Sequence, residues 1–284
     1  MDIYLAPEQA YHFIPLFTPD VAVDRVEQKK TSLAAGTVGS LISRPKPEDI
    51  HMVALENRLE PVWQITAVAK TRYDRTRTFT VTASGPEVQG VTLLGQDFTP
   101  ELKAKEGPRF SIEGVEHCEE TGKASRAFHG ISGNAVEFAK YQSFPKTLIV
   151  DLDQFLPEGV LVVPPQLRAT AVVRKVLAEV IKPVQQAHVI HEERVDIETI
   201  DLNFLPVYAL EYEWSAKGKR NVVEFDALTG EVRSGGRRLQ DQFKGLITRD
   251  VFFDVTADAV GMLVPGGSIA VKLVKAVVDR GKGG

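Results

Sequence analysis

Hydrophobic residues recur with helical spacing in two stretches of the chain. In the second half, Pro164-Pro165 precedes such a stretch and Pro183 ends it. The apolar positions three and four apart are Leu167, Val172, Val173, Val176, Leu177, Val180 and Ile181. Because proline suits the first turn of a helix and breaks its interior, this pattern predicts a helix between the prolines. A similar helix is predicted in the first half from Thr18-Pro19 to Ile42, weakened by two glycines near its end.

Alternating apolar and polar positions follow each predicted helix and indicate strands. In the second half, the alternating residues are Val195, Ile197, Ile200, Leu202 and Phe204, with one change of phase, and then residues 207–214. Residues 217–220 contain a glycine and predict a turn, after which 221–225 return as an antiparallel strand. In the first half, the same reasoning predicts strands over 62–69 and 78–83, joined by a basic turn over 71–77.

The two halves of the chain align with each other at an offset of 145 residues. At that offset Pro61 falls on Pro206, and Ser84-Gly85 falls on Thr229-Gly230. The strand alternation slips in phase between these two anchors, which a β-bulge would explain. The alignment predicts an internal duplication.

The predicted fold class is α+β, with two units that each pack a helix on an antiparallel β-meander, plus a C-terminal helical tail. We expect the first unit at 1–90 and the second unit at 160–240. The segment 91–159 connects them with short strands over 90–98, 109–120 and 146–156 and a short helix over 134–144. The tail covers 241–284.

The stretch Val223–Val232, with the sequence VEFDALTGEV, closes the second unit. Together with residues 206–222 it resembles the PepSY domain of peptidase propeptides and YpeB-type proteins, most clearly over 160–235 and more weakly over 13–90. In that family a helix precedes antiparallel strands, and the last strand ends in an Asp-x-x-Thr-Gly-Glu-Val signature. The resemblance implies a non-catalytic module of propeptides, inhibitors and regulators, mostly outside the cytoplasm. This chain departs from the family because no secretion signal is visible.

The residues of this signature also have a physical interpretation of their own. Asp226 can accept backbone N–H bonds across the turn, while Thr229 precedes Gly230, which can adopt a positive φ. We expect a device that closes a hairpin, with a ligand site as the alternative.

Composition places the chain among ordinary globular proteins. It has 284 residues, is 43% hydrophobic and 25% charged, and has a net charge of −4, which does not favour a general nucleic-acid binder. A single cysteine excludes an intramolecular disulfide and fits a reducing compartment. We therefore expect a cytoplasmic protein without a membrane span or cofactor.

Few residues offer catalytic or metal-binding chemistry. His117, Cys118 and His129 are weak metal candidates, because their spacing matches no zinc pattern. His188 and His191 are three apart, but on a strand they would point to opposite faces. Ser132 lies in a near match to the Gly-x-Ser-x-Gly nucleophile motif that lacks the final glycine. No catalytic residue is predicted, and the balance favours a protein that is not an enzyme.

Basic residues are the one polar feature that recurs at both predicted turns. They are Lys70, Arg72, Arg75 and Arg77 in the first half and Lys217, Lys219 and Arg220 in the second. If the turns lie side by side, they predict a surface for an anion or an acidic partner.

The C-terminus reads as two helices, over 256–264 and 268–280. In the second helix, the apolar positions Ile269, Leu273 and Val277 share a broad face with a narrow polar stripe opposite. Such a helix packs on its own domain, on a protein partner or second copy, or on a membrane surface.

Three functions follow from these observations. The first is a non-catalytic binding or scaffolding protein that acts through protein–protein contact or self-association. The second is a hydrolase or metal-dependent enzyme that uses the region from His117 to His129. The third is binding of nucleic acid or another polyanion through the basic turns, which the net charge does not favour.

Overall fold

A computed structural model describes residues 1–33, 46–103, 107–236, 249–253, 255 and 272–275. In this part of the chain strands dominate, and eleven of them form one large mixed sheet, while two more form a separate hairpin. Three α-helices are described. The predicted α+β class is confirmed at this level.

The first half of the chain contains helix α1 (Pro19–Glu27) and seven strands. The strands are β1 (Asp2–Leu5), β2 (Glu8–Phe13), β3 (Ile50–Thr82), β4 (Val91–Leu93), β5 (Gln96–Phe98), β6 (Glu101–Lys103) and β7 (Gly107–His129). A 3-10 turn at Pro47–Asp49 leads into β3.

The second half contains helices α2 (Ala169–Val180) and α3 (Arg249–Phe252) and six strands. The strands are β8 (Lys146–Leu148), β9 (Leu161–Val162), β10 (Val189–Trp214), β11 (Lys219–Asp226), β12 (Val232–Gly236) and β13 (Lys272–Lys275). Two 3-10 turns are formed by Phe138–Tyr141 and Ser215–Lys217.

Two long antiparallel strands, β3 and β10, form the centre of the sheet and pair along almost the whole length of β10. On its other edge β10 pairs successively with β1, β2 and β11. The other edge of β3 pairs with β9 and then with β7. The sheet is therefore continuous from one half of the chain to the other.

Both longer helices cover the same face of this sheet. Helix α2 buries Val172, Val173, Val176 and Leu177 completely, together with Trp63 of β3. Helix α1 buries Ala22 and Val26 against Tyr208, Leu210 and other residues of β10 and β11. Residues that lie opposite each other in an antiparallel pair point to one face. Trp63 pairs with Leu202, and Leu55 pairs with Leu210. The two pairs are eight residues apart on each strand, so all four side chains point to the same face. The two hydrophobic clusters therefore adjoin each other on one side.

The described residues do not show the predicted duplication of self-contained units. Helix α1, from the first half, packs on the β10–β11 hairpin, and helix α2, from the second half, packs on β3 and β7. The two hairpins also differ, because a short 3-10 turn joins β10 to β11 whereas β3 and β7 are separated by a long segment with its own hairpin. The prolines and the turn that aligned in sequence are local features. They carry no information on which strands each helix covers.

Several local predictions in the second half are confirmed. Val195, Ile197, Ile200, Leu202 and Phe204 are all at most 2% exposed, and the predicted phase change is a register shift between Ile197 and Thr199. Helix α2 ends before Pro183 as expected but begins at Ala169, later than predicted. The preceding backbone is engaged in tertiary bonds instead, since Leu167 N–H donates to the carbonyl of Gly130 at 2.9 Å.

The basic turn predicted over 71–77 is wrong. Strand β3 runs through it without interruption from Ile50 to Thr82. The segment contains no glycine or proline, and its arginines pair with glutamates on the neighbouring strands. The turn predicted over 217–220 lies two residues earlier, as the 3-10 turn Ser215–Lys217 followed by Gly218 at φ +58, and Lys219 already begins β11.

The connecting segment and the tail also differ from expectation. Residues 90–98 form the β4–β5 hairpin instead of one strand, only Phe138–Tyr141 of the predicted helix is helical, as a 3-10 turn, and the strand at 146–156 shortens to β8. The predicted helix over 268–280 is wrong at Lys272–Lys275, which form β13 parallel to β1. Leu273 thus lies on a strand opposite Ile3, whereas Ile269, Val277 and the helix predicted over 256–264 fall outside the described residues.

Within the described ranges, no helix combines the length and apolar character needed to cross a membrane.

Candidate functional site

The Asp226–Gly230 turn is a buried structural device. One carboxylate oxygen of Asp226 accepts the backbone N–H groups of Leu228 and Thr229 at 2.9 and 3.0 Å. The other accepts the hydroxyl of Tyr141 at 2.6 Å, from the 3-10 turn that packs on this face. Gly230 has φ +74, and a Cβ there would lie 2.6 Å from the guanidinium of Arg25. The expected backbone bonds of Asp226 and the positive φ of Gly230 are present, and Tyr141 is a partner that the sequence pattern did not reveal.

The structure does not bring the three weak metal candidates together. His117 and Cys118 lie in the middle of β7 and His129 lies at its end, which corresponds to roughly 40 Å along an extended strand. The Cys118 thiol donates to the carbonyl of Glu116 at 3.7 Å. No group of three histidine, cysteine, aspartate or glutamate side chains in the described part of the chain is arranged to hold a metal ion.

His117 belongs instead to a surface cluster around Asp74. Its Nδ1 lies 2.7 Å from one carboxylate oxygen of Asp74, and Nε2 of His191 lies 2.8 Å from the other. These bonds hold the pKa of Asp74 below its usual value of 3.8. His188 and His191 were expected on opposite faces, but His188 precedes β10, where its Nδ1 accepts the N–H of Thr76, and a register shift follows Ile190. Both rings therefore reach β3.

Basic residues predicted to line the first turn lie along β3 and are matched by acidic neighbours. Lys70 is 3.1 Å from Glu119, and Arg72 is 3.8 Å from Glu192. Arg75 and Arg77 both contact Glu116 on β7. Lys70 and Arg72 also point to one face of the strand, and Arg75 and Arg77 point to the other. This arrangement balances their charge and does not form a single basic surface.

Of the basic residues predicted in the second turn, Lys217 lies in the turn, whereas Lys219 and Arg220 begin β11. Arg220 pairs with Glu213 at 2.8 Å, and the ammonium group of Lys217 lies 4.6 Å from the ring centroid of Trp214. Lys219 opens β11 opposite Trp214. The two basic groups are not adjacent, because the first lies on β3 alongside the start of β10 and the second lies at the end of β10.

An extension of the sheet, formed by β3 and β7 with β6 paired to β7 at its far end, is the most distinctive exposed feature. Strand β10 begins opposite Asp74, so that beyond this point β3 pairs only with β7 among the described strands. Residues 75–82 of β3 and 109–116 of β7, together with the β4–β5 hairpin, are called the arm here. Eight paired residues correspond to about 25 Å of strand. Its exposed apolar side chains include Phe79 and Val115.

The β4–β5 hairpin forms the tip of the arm. It is anchored by Phe98, which stacks on Phe110 of β7 with ring centroids 5.0 Å apart. Its loop consists of two residues, Leu94 and Gly95, with φ values of +52 and +78. Two-residue loops with positive φ at both positions favour Asn-Gly, and a branched apolar side chain there is strained.

Leu94 is 92% exposed, more than any other large apolar residue in the described chain. The left-handed conformation costs a residue with a Cβ about 1–2 kcal/mol, and the side chain gains nothing from water. Both facts are unfavourable for the isolated protein. Strained backbone positions cluster at ligand clamps and other functional sites, which makes Leu94 a candidate contact residue.

Comparison of the chain with family models, curated proteins and solved structures gives no match. The resemblance of residues 160–235 to the PepSY domain therefore stays a prediction.

Proposed function

We propose that this protein is a non-catalytic binding protein that contacts a protein partner through the tip of the arm. The observation that carries the proposal is Leu94, which is exposed and has a left-handed backbone. Burial of a leucine side chain contributes about 1.5–3 kcal/mol, enough to offset the strain of this position in a complex. Leu93 beside it is 38% exposed and would extend the contact.

The charges near the tip favour a protein over an anionic membrane. Asp97 follows the loop and accepts the hydroxyl of Thr92 at 2.6 Å, and Glu87 and Glu101 flank the hairpin in the chain. Acidic groups beside an inserting residue are repelled by anionic lipid. A protein pocket with an apolar floor and a basic rim complements this tip.

The PepSY resemblance of 160–235 supports the same class of function. In this region helix α2 precedes the antiparallel strands β10 and β11, and Asp226 closes the final turn. We include a PepSY-like role in regulation through protein contact in the proposal.

The test compares the wild-type protein with Leu94→Asn as bait in extracts of the native cell. Asparagine tolerates the left-handed backbone, so the variant keeps the hairpin while it removes the apolar group. Leu156→Asn is the matched control, since Leu156 is 77% exposed on the body of the protein. We expect a partner that wild type and Leu156→Asn recover equally and that Leu94→Asn recovers at least 10-fold less.

Equal recovery of every protein by all three baits would contradict the proposal, as would the absence of any specific partner of the wild type. Vesicles with 30% phosphatidylserine provide a second measurement. Binding to these vesicles that is lost in Leu94→Asn would assign the tip to lipid instead of protein.

A further inference from the structure

A polar cleft opens on the face of the sheet that the helices do not cover. It measures about 310 Å³ and is lined by residues that include Arg58, Glu60, His129, Ser132, Asn134 and Glu224. Glu60 lies on β3, His129 ends β7 and Glu224 lies on β11, so three strands contribute to it. A narrower extension of about 40 Å³ reaches Tyr141 and Asp226. The cleft is far from the arm and independent of the proposed function.

His129 is fixed in one orientation at the floor of the cleft. Its Nδ1 accepts the backbone N–H groups of Ile131 and Ser132, both at 3.3 Å. The proton of the neutral ring is therefore on Nε2, which donates to Oε2 of Glu60 at 3.2 Å. This bond engages one of the two carboxylate oxygens of Glu60. Because Nδ1 is engaged by the backbone, the ring does not accept a proton from Ser132 as a nucleophilic serine would require.

Glu224 lines the same cleft as Glu60. Burial, followed by the charge of Glu60, raises the pKa of Glu224 above its ordinary value. Arg58, which is 2% exposed, lies 3.8 Å from Glu224 but donates twice to Glu56, at 2.9 and 2.6 Å. Arg58 therefore contacts Glu56 more closely than Glu224.

The cleft and its immediate ion pairs carry an excess of negative charge. Five carboxylates are present, those of Glu56, Glu60, Glu224, Asp226 and Glu231, and they are matched by the cations Arg58, Arg233 and Lys140. Two negative charges therefore remain when His129 is neutral. Among these five carboxylates, Glu60 and Glu224 are the two that line the cleft itself.

Two glycines keep the cleft open. Gly235 and Gly236 line its rim, and Gly235 has φ +95. A Cβ on Gly236 would lie 2.5 Å from a carboxylate oxygen of Glu224, so any side chain there would displace this group. Because residue 236 is a glycine, there is space directly beside the carboxylate of Glu224.

We propose that this cleft binds a primary ammonium group between the carboxylates of Glu60 and Glu224. An ammonium has three donors that point in different directions, and it can bond one oxygen on each of two separate carboxylates. The hydroxyl of Ser132 and the side-chain amide of Asn134 line the same cleft and offer a third acceptor. A guanidinium prefers both oxygens of one carboxylate, and Glu60 already uses one oxygen for His129.

The test measures binding of n-butylammonium to the full-length protein at pH 7.5 by calorimetry and by amide chemical shifts. We expect binding to the wild type, at least 10-fold weaker binding to Glu60→Gln and to Glu224→Gln, and no binding of n-butanol. Glu213→Gln is the matched control, because Glu213 lies on β10 outside the cleft, in an ion pair with Arg220. For the wild type, the affinity should fall as the pH is lowered to 4.5 and Glu224 is protonated.

Two tripeptides separate the sources of the ammonium group, each acetylated at the N-terminus and amidated at the C-terminus so that the lysine side chain is the only amine. Tighter binding of Gly-Lys-Gly than of n-butylammonium, with no binding of Gly-Gln-Gly, indicates a lysine side chain, and the reverse order indicates a free amine. The proposal is overturned if no ammonium compound binds the wild type at 20 mM, if methylguanidinium binds more tightly, or if Glu213→Gln loses as much affinity as the two cleft variants. Each Gln variant is tested separately, so one that fails to fold leaves the other as the test.

Discussion

Asp226 provides a sharp test of whether the closing turn is structural. Replacing it with alanine removes the acceptor of two backbone N–H groups and of the hydroxyl of Tyr141. The two backbone bonds of the turn that involve the main chain of Asp226, at 2.8 and 2.9 Å, are kept in the variant. The substitution therefore isolates the carboxylate.

The expected loss of stability follows from these three bonds. A hydrogen bond to a charged group contributes roughly 1.5–3 kcal/mol, but the contributions of neighbouring bonds do not add fully. Water can also replace the carboxylate at the partly exposed Thr229. We therefore expect Asp226→Ala to lower the free energy of unfolding by about 3–4 kcal/mol. Tyr141→Phe removes one of the three bonds and should cost about 1–2 kcal/mol.

Urea unfolding at pH 7 and 25 °C, followed by circular dichroism, measures both variants and the double variant. Because Asp226 and Tyr141 share one bond, the double variant should be more stable than the sum of the single losses indicates. Asp226→Asn is the matched control, since it keeps an oxygen for the backbone donors and should lose less than half as much. A free energy for Asp226→Ala within 0.5 kcal/mol of wild type would refute the structural role, and a ligand role for Asp226 would then be preferred.

Two further variants test the electrostatics. Burial and Glu60 raise the pKa of Glu224, so its stabilising protonated form is present below the unfolded value of 4.5 and is lost as the pH rises through the folded pKa. Glu224→Gln should therefore unfold at a higher temperature than wild type at pH 7 and at the same temperature at pH 4; a lower melting temperature at pH 7 would be the wrong sign. The bonds from His117 and His191 lower the pKa of Asp74, so its contribution is present above 3.8 and is lost as the pH falls through the folded pKa. Asp74→Asn should reduce the melting temperature at pH 7 and have no effect at pH 2.5, and a pH-independent difference would contradict this assignment.

The sequence-based predictions were most accurate where the spacing of apolar residues alone determines the structure. Helix α2 and the buried side of β10 follow from the spacing of their apolar residues, and the phase change after Ile197 marked a real register shift. The turn around Asp226 was also predictable, because its hydrogen bonds are local. Tyr141 was not, since it comes from a distant 3-10 turn.

The errors have a common physical cause in tertiary pairing. The charged residues of 71–77 resembled a turn because their glutamate partners on β7 and β10 are not visible locally. The pattern around Lys272–Lys275 fits either a helix or a strand, and these residues form a strand that pairs with β1. A strand was predicted across Leu94, and only the φ values show that a two-residue loop lies there.

The cleft could not be predicted from local patterns. Glu60 and Glu224 read as polar residues on two strands, and pairing of β3 and β11 on either side of β10 places them on one face. His129 was a candidate for a metal together with His117, but its partner is Glu60.

The central claim is that the tip of the arm is buried against a protein partner, and cross-linking in the native cell tests it most directly. A photoreactive residue in place of Leu94 should cross-link to one partner in high yield, whereas the same residue in place of Leu156 should not. Equal cross-linking at both positions, or none at position 94, would contradict the account.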